Sequence, residues 1–550
     1  MKRFLALLLI FGMLTLSACN NMTSDIPTDT DTSTEAATPN YTDEATDSSA
    51  PIPEETSTSD DNTDIDDNTD IKDECNGSHS DTDNNGFCDG CNISVIIILD
   101  LFAINDLHGK FDDTESNVGI DELTTYLKNA QNKNKNTILL SSGDMWQGSS
   151  ESNLTKGMIM TDWMNELDFA SMTLGNHEYD WGEDIICENA DMAEFPFLAI
   201  NIFDRDTNKR VDYCESSVVI DLGEIQIGII GAMGDCYSSI ASDKSSGVYF
   251  KVGSELTTLV KNESDKLRSE GVDYIIYSLH DGYGSSTSGS LSSSKLSSYY
   301  DSSLSSGGYV DMVFEGHTHK NYVITDSYGV HHMQNGGDNN GISYAQVSIN
   351  FANFNSSVNS AKIVSYKEYS KLDDHPIVDE LLEKYKDEIS KANEVLGNIS
   401  KTLYSDEIRQ LVADLYYEFG VEKWGDEYDI VLGGGFLNCR SPYNIYSGEV
   451  KYSDVQSVLP FDNHLVLCSI KGKDLKNKFF ETNNSSYFIG YGQYGASVKN
   501  NIDLNKTYYV IVDTYTSTYK YNNLTEIERI TDDFFARDLI AEYIKEGRLM

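Results

Sequence analysis

Five short segments of the chain carry side chains that commonly ligate metal ions, and each follows a run of apolar residues. They are Asp106–His108, Gly143-Asp144, Gly175–Asp180, His280-Asp281 and Gly316–His319. Half of the ten histidines lie in these segments. Carboxylate, amide and imidazole groups suit divalent cations such as Zn²⁺, Mn²⁺, Fe²⁺ or Co²⁺. Two such ions together activate water and neutralise phosphoryl oxygens, so the pattern indicates hydrolysis of phosphate esters.

Seven side chains from these segments are predicted to bind the two ions: Asp106, His108, Asp144, Asn176, His280, His317 and His319. Two pairs of them lie two residues apart, and residues at this spacing face the same side of an extended chain. A glycine precedes Asp144 and Asn176, which lets the backbone turn sharply towards the site. We predict that Asp144 bridges the two ions, which lie roughly 3.5–4 Å apart in dinuclear hydrolytic sites.

Strand and helix patterns alternate along the part of the chain that carries these segments, which is typical of an α/β domain. The predicted helices are Asp121–Gln131 and Met158–Leu167, and the predicted strands are Val95–Ile104, Thr137–Leu140, Ala170–Leu174, Ile225–Ala232, Tyr274–Leu279 and Val310–Phe314. The ligand segments follow these strands, at the sheet edge where sites form in open α/β folds. Residues 283–306 are rich in Ser, Gly and Tyr, which predicts a loop insertion.

The first nineteen residues are typical of a targeting segment. Lys2 and Arg3 precede an apolar stretch from Phe4 to Leu16 that is too short for a transmembrane span. The sequence Leu16–Cys19 then resembles the lipobox of bacterial lipoproteins, which implies lipidation of Cys19. The alternative is a plain secretory signal with an incidental cysteine. Either interpretation predicts a protein outside the cytoplasm, and the first predicts one anchored to the membrane at the cell surface.

Residues 20–94 are predicted to form an acidic, disordered stalk. Its first part is almost entirely Asp, Thr, Ser, Asn, Glu and Pro, which cannot bury enough apolar surface to offset the chain entropy. The whole chain of 550 residues has a formal net charge of −49. Because it offers no basic stripe for a phosphate backbone, the composition argues against nucleic acid duplexes as partners.

A cysteine-rich segment, residues 75–91, ends this stalk and allows three interpretations. Asp81, Asp83 and Asn85 before a glycine resemble the first half of a calcium loop, although the glutamate expected six residues later is missing. Cysteine and histidine side chains of the same segment would instead form a small zinc site, with Cys75, His79, Cys88 and Cys91 as ligands. The third interpretation is the end of a disordered stalk with one chance disulfide.

Three further regions are predicted beyond the stalk. Residues 95–368 form the first domain, which carries the five ligand segments. Residues 369–396 form a linker with a charged helix at about Pro376–Leu396, because its apolar residues fall at helical spacing. Residues 397–550 form a second domain with a helix at Ile408–Phe419, a strand at Tyr428–Leu432 and the glycine run 433–435.

The five ligand segments closely resemble those of the calcineurin-like metallophosphoesterases. The bacterial extracellular 5′-nucleotidase branch, with its UDP-sugar hydrolases and 2′,3′-cyclic-nucleotide phosphodiesterases, is similar over nearly all of residues 97–550. The resemblance implies a four-layer α/β/β/α sandwich followed by a smaller α+β C-terminal domain. It assigns Asp106, His108, Asp144 and His319 to one metal ion, and Asp144, Asn176, His280 and His317 to the other. Many members of the family have Gln in place of His319.

The resemblance also implies a catalytic pair, His177 and Asp180. In the family the histidine contacts the developing charge on phosphorus or protonates the leaving oxygen. The aspartate holds the imidazole ring and favours its charged form. A structural alternative for Asp180 is that it caps the helix that follows.

The second domain resembles the nucleotidase C-terminal domain through the segments 433–440, 448–450 and 458–463. The resemblance implies that Gly434 and Gly435 expose backbone to the substrate and that Arg440, with Arg409, pairs with its anionic groups. It also implies that two aromatic rings, Phe488 and Tyr515, clamp the base. The usual family motif after Tyr515 is absent, so Tyr487, Tyr491 and Tyr519 are alternatives for the clamp.

The sequence thus predicts a lipid-anchored dimetal phosphoesterase that hydrolyses nucleotides outside the cell. Two alternatives remain open. The same site would serve a 2′,3′-cyclic-nucleotide phosphodiesterase or a UDP-sugar hydrolase. A surface lipoprotein that binds metal without catalysis is the non-enzymatic alternative.

Overall fold

The computed structural model describes most of the chain beyond the stalk. The described residues are 75, 78–111, 119–283, 300, 302–436, 444–481, 489–531 and 534–549. The predictions for the signal peptide, Cys19, Arg440 and Phe488 lie outside these residues, as do those for most of the stalk and for most of the loop 283–306. The end of that predicted loop contains a short helix, Ser302–Ser306.

Two six-stranded sheets form the centre of the first domain. In spatial order, the first sheet contains Asn355–Ser365, Gly341–Asn350, Ile96–Ile104, Thr137–Ser141, Ser171–Thr173 and Phe197–Leu198. The last four of these strands are parallel, and the two long strands at the other edge form an antiparallel hairpin. The parallel half carries the predicted ligand segments beyond its strand ends.

The second sheet has a parallel centre and an antiparallel strand at each edge. Its strands, in spatial order, are Tyr322–Thr325, His331–Gln334, Met312–Glu315, Tyr274–His280, Gln226–Met233 and Ser217–Asp221. The four middle strands are parallel. A small separate hairpin pairs Ile202–Asp204 with Val248–Phe250.

The sequence places apolar side chains on both faces of each sheet, and three cores result. Alternate residues such as Leu101 and Leu140 in the first sheet and Ile229 and Phe314 in the second pack between the sheets. The residues in between face outwards, where Phe102 packs under helices of one outer layer. The other outer layer covers the second sheet. The predicted α/β/β/α order is therefore confirmed.

The outer layers consist of helices that follow the strands. On the first sheet they are Asp121–Lys133, Met158–Glu166, Glu183–Met192 and Pro376–Lys384. The short helix Ser150–Leu154 lies beside Met158–Glu166. On the second sheet they are Ser254–Ser269 and Ser302–Ser306. Short 3₁₀ turns occupy His177–Tyr179, Asp235–Ser239 and Tyr366–Glu368. None of the helices in the described part of the chain is long and apolar enough to cross a membrane.

The predicted linker helix is shorter than the sequence pattern suggests. The helix Pro376–Lys384 ends at Tyr385, whose hydroxyl donates a hydrogen bond to Asp162 at 2.6 Å. A 3₁₀ turn, Glu388–Asn393, and a strand, Val395–Ile399, follow it. The prediction of one helix to Leu396 is wrong because the apolar residues after Lys384 pack into the first domain and onto a neighbouring strand rather than along one helix.

The C-terminal region has a four-stranded mixed sheet, ordered Ile430–Gly433, Thr507–Asp513, Leu465–Lys471 and Thr525–Arg529. The helices Ser405–Trp424, Tyr452–Val458 and Asp538–Lys545 pack on one face of it. The helix Gly472–Leu475 and a π-helical turn, Lys476–Phe480, pack on the other. Gly492–Val498 is a further helix, Thr516–Lys520 a second π-helical turn, and Val395–Ile399 pairs with Gly448–Lys451. Gly435–Phe436 pairs with Ile489–Gly490.

The packing between the two sheets predicts that substitutions at two positions of one strand lower the free energy of unfolding by different amounts. Leu101 is fully buried between the sheets, whereas Ile98 on the same strand is 43% exposed. Leu101→Ala leaves a cavity and should lower the free energy of unfolding by ~2–5 kcal/mol. Ile98→Ala is the matched control and should change it far less. Urea unfolding of both variants measures the difference, and equal losses would contradict the four-layer packing.

Candidate metal centre

The five ligand segments converge at the carboxyl ends of the parallel strands of both sheets. Ligand atoms lie within 4.8 Å of one another in two overlapping groups, the first formed by Asp106, His108 and His319. The second group contains Asp106, Asp144 and His280. Because the strands Ile96–Ile104 and Thr137–Ser141 belong to one sheet and Tyr274–His280 to the other, the site lies where the two sheets meet.

Five of the seven predicted ligands have a left-handed backbone. Their φ angles lie between 51° and 71°, at Asp106, His108, Asp144, His317 and His319. Residues other than glycine seldom adopt this conformation, and it concentrates at functional sites. The paired ligands therefore converge through turns, and the expectation of an extended chain at these positions is wrong.

One side of the site is built around the Asp106 carboxylate. It is fully buried and accepts hydrogen bonds from the Asn105 side chain at 2.6 Å and from the His317 amide at 2.8 Å. The His319 ring lies beside it, with Nε2 at 3.3 Å from Oδ1. The same His319 nitrogen lies 3.1 Å from Nε2 of His108. Two imidazole nitrogens and a carboxylate oxygen thus point at one small volume.

The other side is built around Asp144. Its Oδ2 lies 3.1 Å from Nε2 of His280, and its Oδ1 accepts a hydrogen bond from the His177 amide at 2.8 Å. The rings of His280 and His317 make an edge contact, with centroids 5.6 Å apart. Nδ1 of His280 is held by the carbonyl of Ser142 at 2.6 Å, which orients Nε2 towards the site.

Buried carboxylates and imidazoles balance each other's charge. Burial opposes ionisation of Asp106, but the charge of His319 outweighs it and lowers the pKa of the carboxyl to about 2. Burial likewise opposes protonation of His280, but Asp144 raises its pKa to about 10. At His317, burial and the neighbouring His280 charge lower the pKa to about 4. Carboxylates that stay ionised here attract cations, and His317 stays a neutral donor.

The donor set and two buried atoms fit divalent cations. Oδ1 of Asn176 makes no hydrogen bond among the described residues, and Nε2 of His280 has only the ion pair with Asp144, a situation that usually requires an explanation. A Cβ on Gly175 would lie 2.3 Å from Oδ1 of Asp144, so glycine is needed for the approach of this turn. A cation in contact with Oδ1 of Asn176 and Nε2 of His280 would give each atom a metal partner.

Glu178 is a site residue whose role the sequence did not reveal. Its buried carboxylate accepts three backbone hydrogen bonds, from Asp144 at 2.9 Å, Met145 at 2.8 Å and Gly175 at 2.7 Å. Burial and the charge of Asp144 raise its pKa to about 7. The side chain ties together two of the ligand turns. In the sequence, only its position inside a ligand segment marked this glutamate. An exposed glutamate could occupy the same position, so the sequence did not reveal its role.

Two more side chains adjoin the predicted ligands without having been predicted. The Asp338 carboxylate lies 3.7 Å from Nδ1 of His319, on the side away from Asp106. The Cys236 thiol donates to the carbonyl of His280 at 3.0 Å, and its sulfur lies within 4.8 Å of ring nitrogens of His280 and His317. Both residues lie a few positions past a strand, Cys236 after Gln226–Met233 and Asp338 after His331–Gln334, so the same strand-end signal could have found them.

The predicted catalytic pair is in direct contact. Nδ1 of His177 lies 2.8 Å from Oδ2 of Asp180, and the His177 ring stacks on Phe461 of the C-terminal region at a centroid distance of 6.0 Å. The helix that follows has Gly182 as its N-cap, so the capping role considered for Asp180 is excluded. His177 also lies beside His108, with ring centroids 5.1 Å apart.

The C-terminal region reaches this site through residues 460–462. The two regions lie within one compact unit of the chain. Nδ2 of Asn153 donates to the carbonyl of Pro460 at 3.1 Å, and Nε1 of Trp181 donates to Asp462 at 3.2 Å. Arg537 holds the same carboxylate at 2.5 Å. The segment quoted for its resemblance to nucleotidases therefore borders the catalytic pair.

The predicted substrate residues are only partly within the described chain. Gly434 and Gly435 are buried, with φ angles of 153° and 134°. A Cβ on Gly434 would clash with Gly490, and a Cβ on Gly435 would clash with Thr516. The glycine run thus lies against the segments that carry the candidate clamp rings, of which Tyr515 is half-buried. Arg409 is buried and pairs with Asp406, so it does not lie on a solvated face of its helix.

Comparison with known sequences adds two family matches. Residues 99–321 match the calcineurin-like phosphoesterases and residues 397–526 match the 5′-nucleotidase C-terminal domain. An apyrase of Tabanus yao is 25% identical over 423 residues, which are 69% of this chain and 72% of the relative. A 2′,3′-cyclic-nucleotide 2′-phosphodiesterase/3′-nucleotidase of Salmonella typhimurium is 27% identical over 246 residues, or 41% of this chain and 37% of the relative.

Among solved structures, a 5′-nucleotidase precursor from Thermus thermophilus has the same fold. The TM-score is 0.62 at 18% identity, and the alignment covers 82% of this chain and 97% of the other. The first domain, with its ligand turns at the meeting edge of two sheets, and the C-terminal region thus match the two parts of one known architecture. This chain belongs to the metallophosphoesterases of the 5′-nucleotidase type.

Proposed function

We propose that the chain hydrolyses phosphate esters of nucleotides with two divalent cations at the site described above. The observation that carries the proposal is that six of the seven predicted ligands, the buried carboxylates of Asp106 and Asp144 among them, come from both sheets and lie in overlapping groups with ligand atoms within 4.8 Å of one another. The relatives support the substrate class, because they are named apyrases, 5′-nucleotidases and a cyclic-nucleotide phosphodiesterase. The metal would be Mn²⁺, Zn²⁺, Fe²⁺, Co²⁺ or a similar ion.

The family resemblance suggests how the ligands would divide between the two ions. Asp106, His108, Asp144 and His319 would hold one ion, and Asp144, Asn176, His280 and His317 would hold the other. Bound there, the ions would activate a water molecule and neutralise the phosphoryl oxygens. The protein's contribution is orientation: carbonyl groups of Gln147 and Ser142 fix Nδ1 of His108 and His280, so that Nε2 of each ring faces the ions.

His177 is proposed to be the general acid. Asp180 accepts a hydrogen bond from Nδ1–H and stabilises the charged imidazole, so Nε2 is the nitrogen that would donate a proton to the leaving oxygen. Phe461, stacked on the ring, restricts its orientation.

The nucleotide is proposed to bind beside the glycine run of the C-terminal region. Gly434 and Gly435 would present backbone to it, and Arg440 with Arg409 would pair with its anionic groups. Phe488 and Tyr515 would stack on the base, a contact worth ~1–3 kcal/mol that tolerates any base. A 2′,3′-cyclic-nucleotide phosphodiesterase is the second candidate function, which the Salmonella typhimurium relative favours.

We also propose that the protein works outside the cytoplasm, held at the cell surface by lipid on Cys19. The basic residues, apolar stretch and small residues before Cys19 support this location. There the enzyme would release nucleoside and phosphate from nucleotides.

A substrate panel tests the proposed function. With Mn²⁺, the purified chain should release phosphate from AMP faster than from 2′,3′-cyclic AMP or UDP-glucose. Asp144→Asn should abolish turnover of every substrate and remove the bound metal, whereas Asp162→Asn, a buried carboxylate away from the site, should keep both. A preference for the cyclic nucleotide would favour the second candidate. Failure on all of these and on p-nitrophenyl phosphate and its diester would favour a metal-binding lipoprotein.

The catalytic pair predicts a loss of rate without a loss of metal. His177→Asn should lower kcat about 10²–10⁴-fold, because a general acid contributes that factor. The metal content, measured by mass spectrometry, should not change. His375→Asn at the start of the helix Pro376–Lys384 is the matched control and should have normal kcat. Loss of metal in His177→Asn would instead make this residue a ligand.

The position of Glu178 predicts weaker metal binding. Glu178→Gln replaces one of the two carboxylate oxygens by an NH₂ group, so at least one of the three backbone amides loses its acceptor. The two ligand turns should loosen, and the Mn²⁺ concentration for half-maximal activity should rise about 10–100-fold, as for other residues that orient metal ligands. The control Glu183→Gln, on the neighbouring helix, should leave the Mn²⁺ concentration for half-maximal activity unchanged. An unchanged value in Glu178→Gln would show that the turns keep their shape without this carboxylate.

A further inference from the structure

The cysteine-rich segment that precedes the first strand brings four potential ligands together. Its pairs have the spacings Cys75-x₃-His79 and Cys88-x₂-Cys91. One ligand atom from each residue lies within 4.8 Å of all the others. Cys88 is buried and the other three side chains are half-buried. None of the four belongs to the phosphoesterase site.

The distances within this cluster fit a tetrahedral zinc site. The sulfurs of Cys75 and Cys88 lie 3.5 Å apart, and the Cys91 sulfur lies 3.6 Å from Nδ1 of His79. Tetrahedral zinc, with bonds of ~2.3 Å to sulfur and ~2.0–2.1 Å to nitrogen, places two sulfurs about 3.8 Å apart and a sulfur and a nitrogen about 3.6 Å apart. A disulfide would need about 2.0 Å between sulfurs, well below the separation found for Cys75 and Cys88.

The backbone is shaped to accept these sulfurs. A Cβ on Gly90 would lie 2.8 Å from the Cys75 sulfur, so glycine leaves room for this sulfur. Asn92, with φ of 58°, donates its amide to the Cys88 carbonyl at 2.8 Å, which closes the turn that carries Cys88 and Cys91. The turn thus brings the second pair of ligands close to Cys75.

The acidic residues of the same segment are engaged by hydrogen bonds. The buried Asp81 carboxylate accepts from the amides of Asn85 at 3.0 Å and Gly86 at 2.9 Å, and from the Asn350 side chain at 2.6 Å. Both oxygens of Asp83 accept from Asn85. The carboxylates of Asp81, Asp83 and Asp89 lie within 4.8 Å of one another, but calcium takes six to eight oxygen ligands and the glutamate expected six residues after Gly86 is missing. The calcium interpretation is therefore disfavoured.

We propose that Cys75, His79, Cys88 and Cys91 bind a structural Zn²⁺ ion that fastens the end of the stalk to the first domain. The segment contacts the turn between the two long edge strands. His79 makes an edge contact with Phe351 at 5.6 Å, and Asn353 donates to Asn84 at 2.8 Å. Zinc would hold its four ligands together against this turn. The folded part of the chain would then begin before its first strand.

Cobalt substitution in the full chain tests the proposal. Thiolate ligands give Co²⁺ a sulfur-to-metal charge-transfer absorption, which the nitrogen and oxygen ligands of the phosphoesterase site cannot give. The wild-type chain and Asp144→Asn should both show this band. Cys88→Ser and Cys91→Ser should lose it together with one zinc per chain, while their hydrolysis of p-nitrophenyl phosphate persists.

Three control variants separate the possible sources of the band. Cys187→Ser, a half-buried cysteine elsewhere in the domain, should keep it. Cys236→Ser should also keep it, and loss there would assign the thiolate to the phosphoesterase site and overturn the proposal. His79→Cys preserves four ligands and should strengthen the band, which distinguishes loss of a ligand from loss of folding.

Two other results would overturn the proposal. A chain without the band in which two cysteines resist thiol reagents until reduced would contain a disulfide. Binding of Ca²⁺ that Asp83→Asn abolishes and Cys91→Ser leaves intact would establish the calcium loop instead. Because the band does not depend on turnover, failure of the proposed function would leave this test unaffected.

Discussion

The carboxylates of Asp106 and Asp144 lie buried within a few ångströms of each other and of His280, and the surrounding structure compensates their charge. Two buried anions are unfavourable unless cations or hydrogen-bond donors face them. His280 and His319 face them here, together with backbone amides. A pair of divalent cations would serve the same purpose more fully, and the ligands around them are those that such ions prefer.

The meeting edge of two sheets is what makes this concentration of charge possible. Parallel strands end together, so turns from distant parts of the chain start within reach of one another. Left-handed backbone at five ligands then directs their side chains inwards. Glu178 links two of these turns by accepting three amides, and Phe461 brings the C-terminal region to the catalytic pair. The site therefore depends on packing of the whole first domain rather than on any single loop.

Much of this arrangement was predictable because strand ends carry a clear signal. Apolar runs followed by Asp or His marked the ligand turns. The left-handed conformations were not predictable, since Asp106 and His317 carry no local feature that demands them. The linker helix was predicted too long because Tyr385 and Ile389 continue a helical pattern, and only tertiary packing shows that they leave the helix. The interleaved Cys, His and Asp residues of 75–91 did not distinguish a zinc site from a calcium loop or a chance disulfide. The distances between their ligand atoms were needed for that.

Crystals grown with Mn²⁺ and measured at the manganese absorption edge test the central claim most directly. We expect two anomalous peaks, one among Asp106, His108 and His319 and the other among Asn176, His280 and His317, with an oxygen of Asp144 in contact with both. No peak at this sheet edge, or a single peak that leaves Asn176 and His280 without a cation, would contradict a dinuclear site.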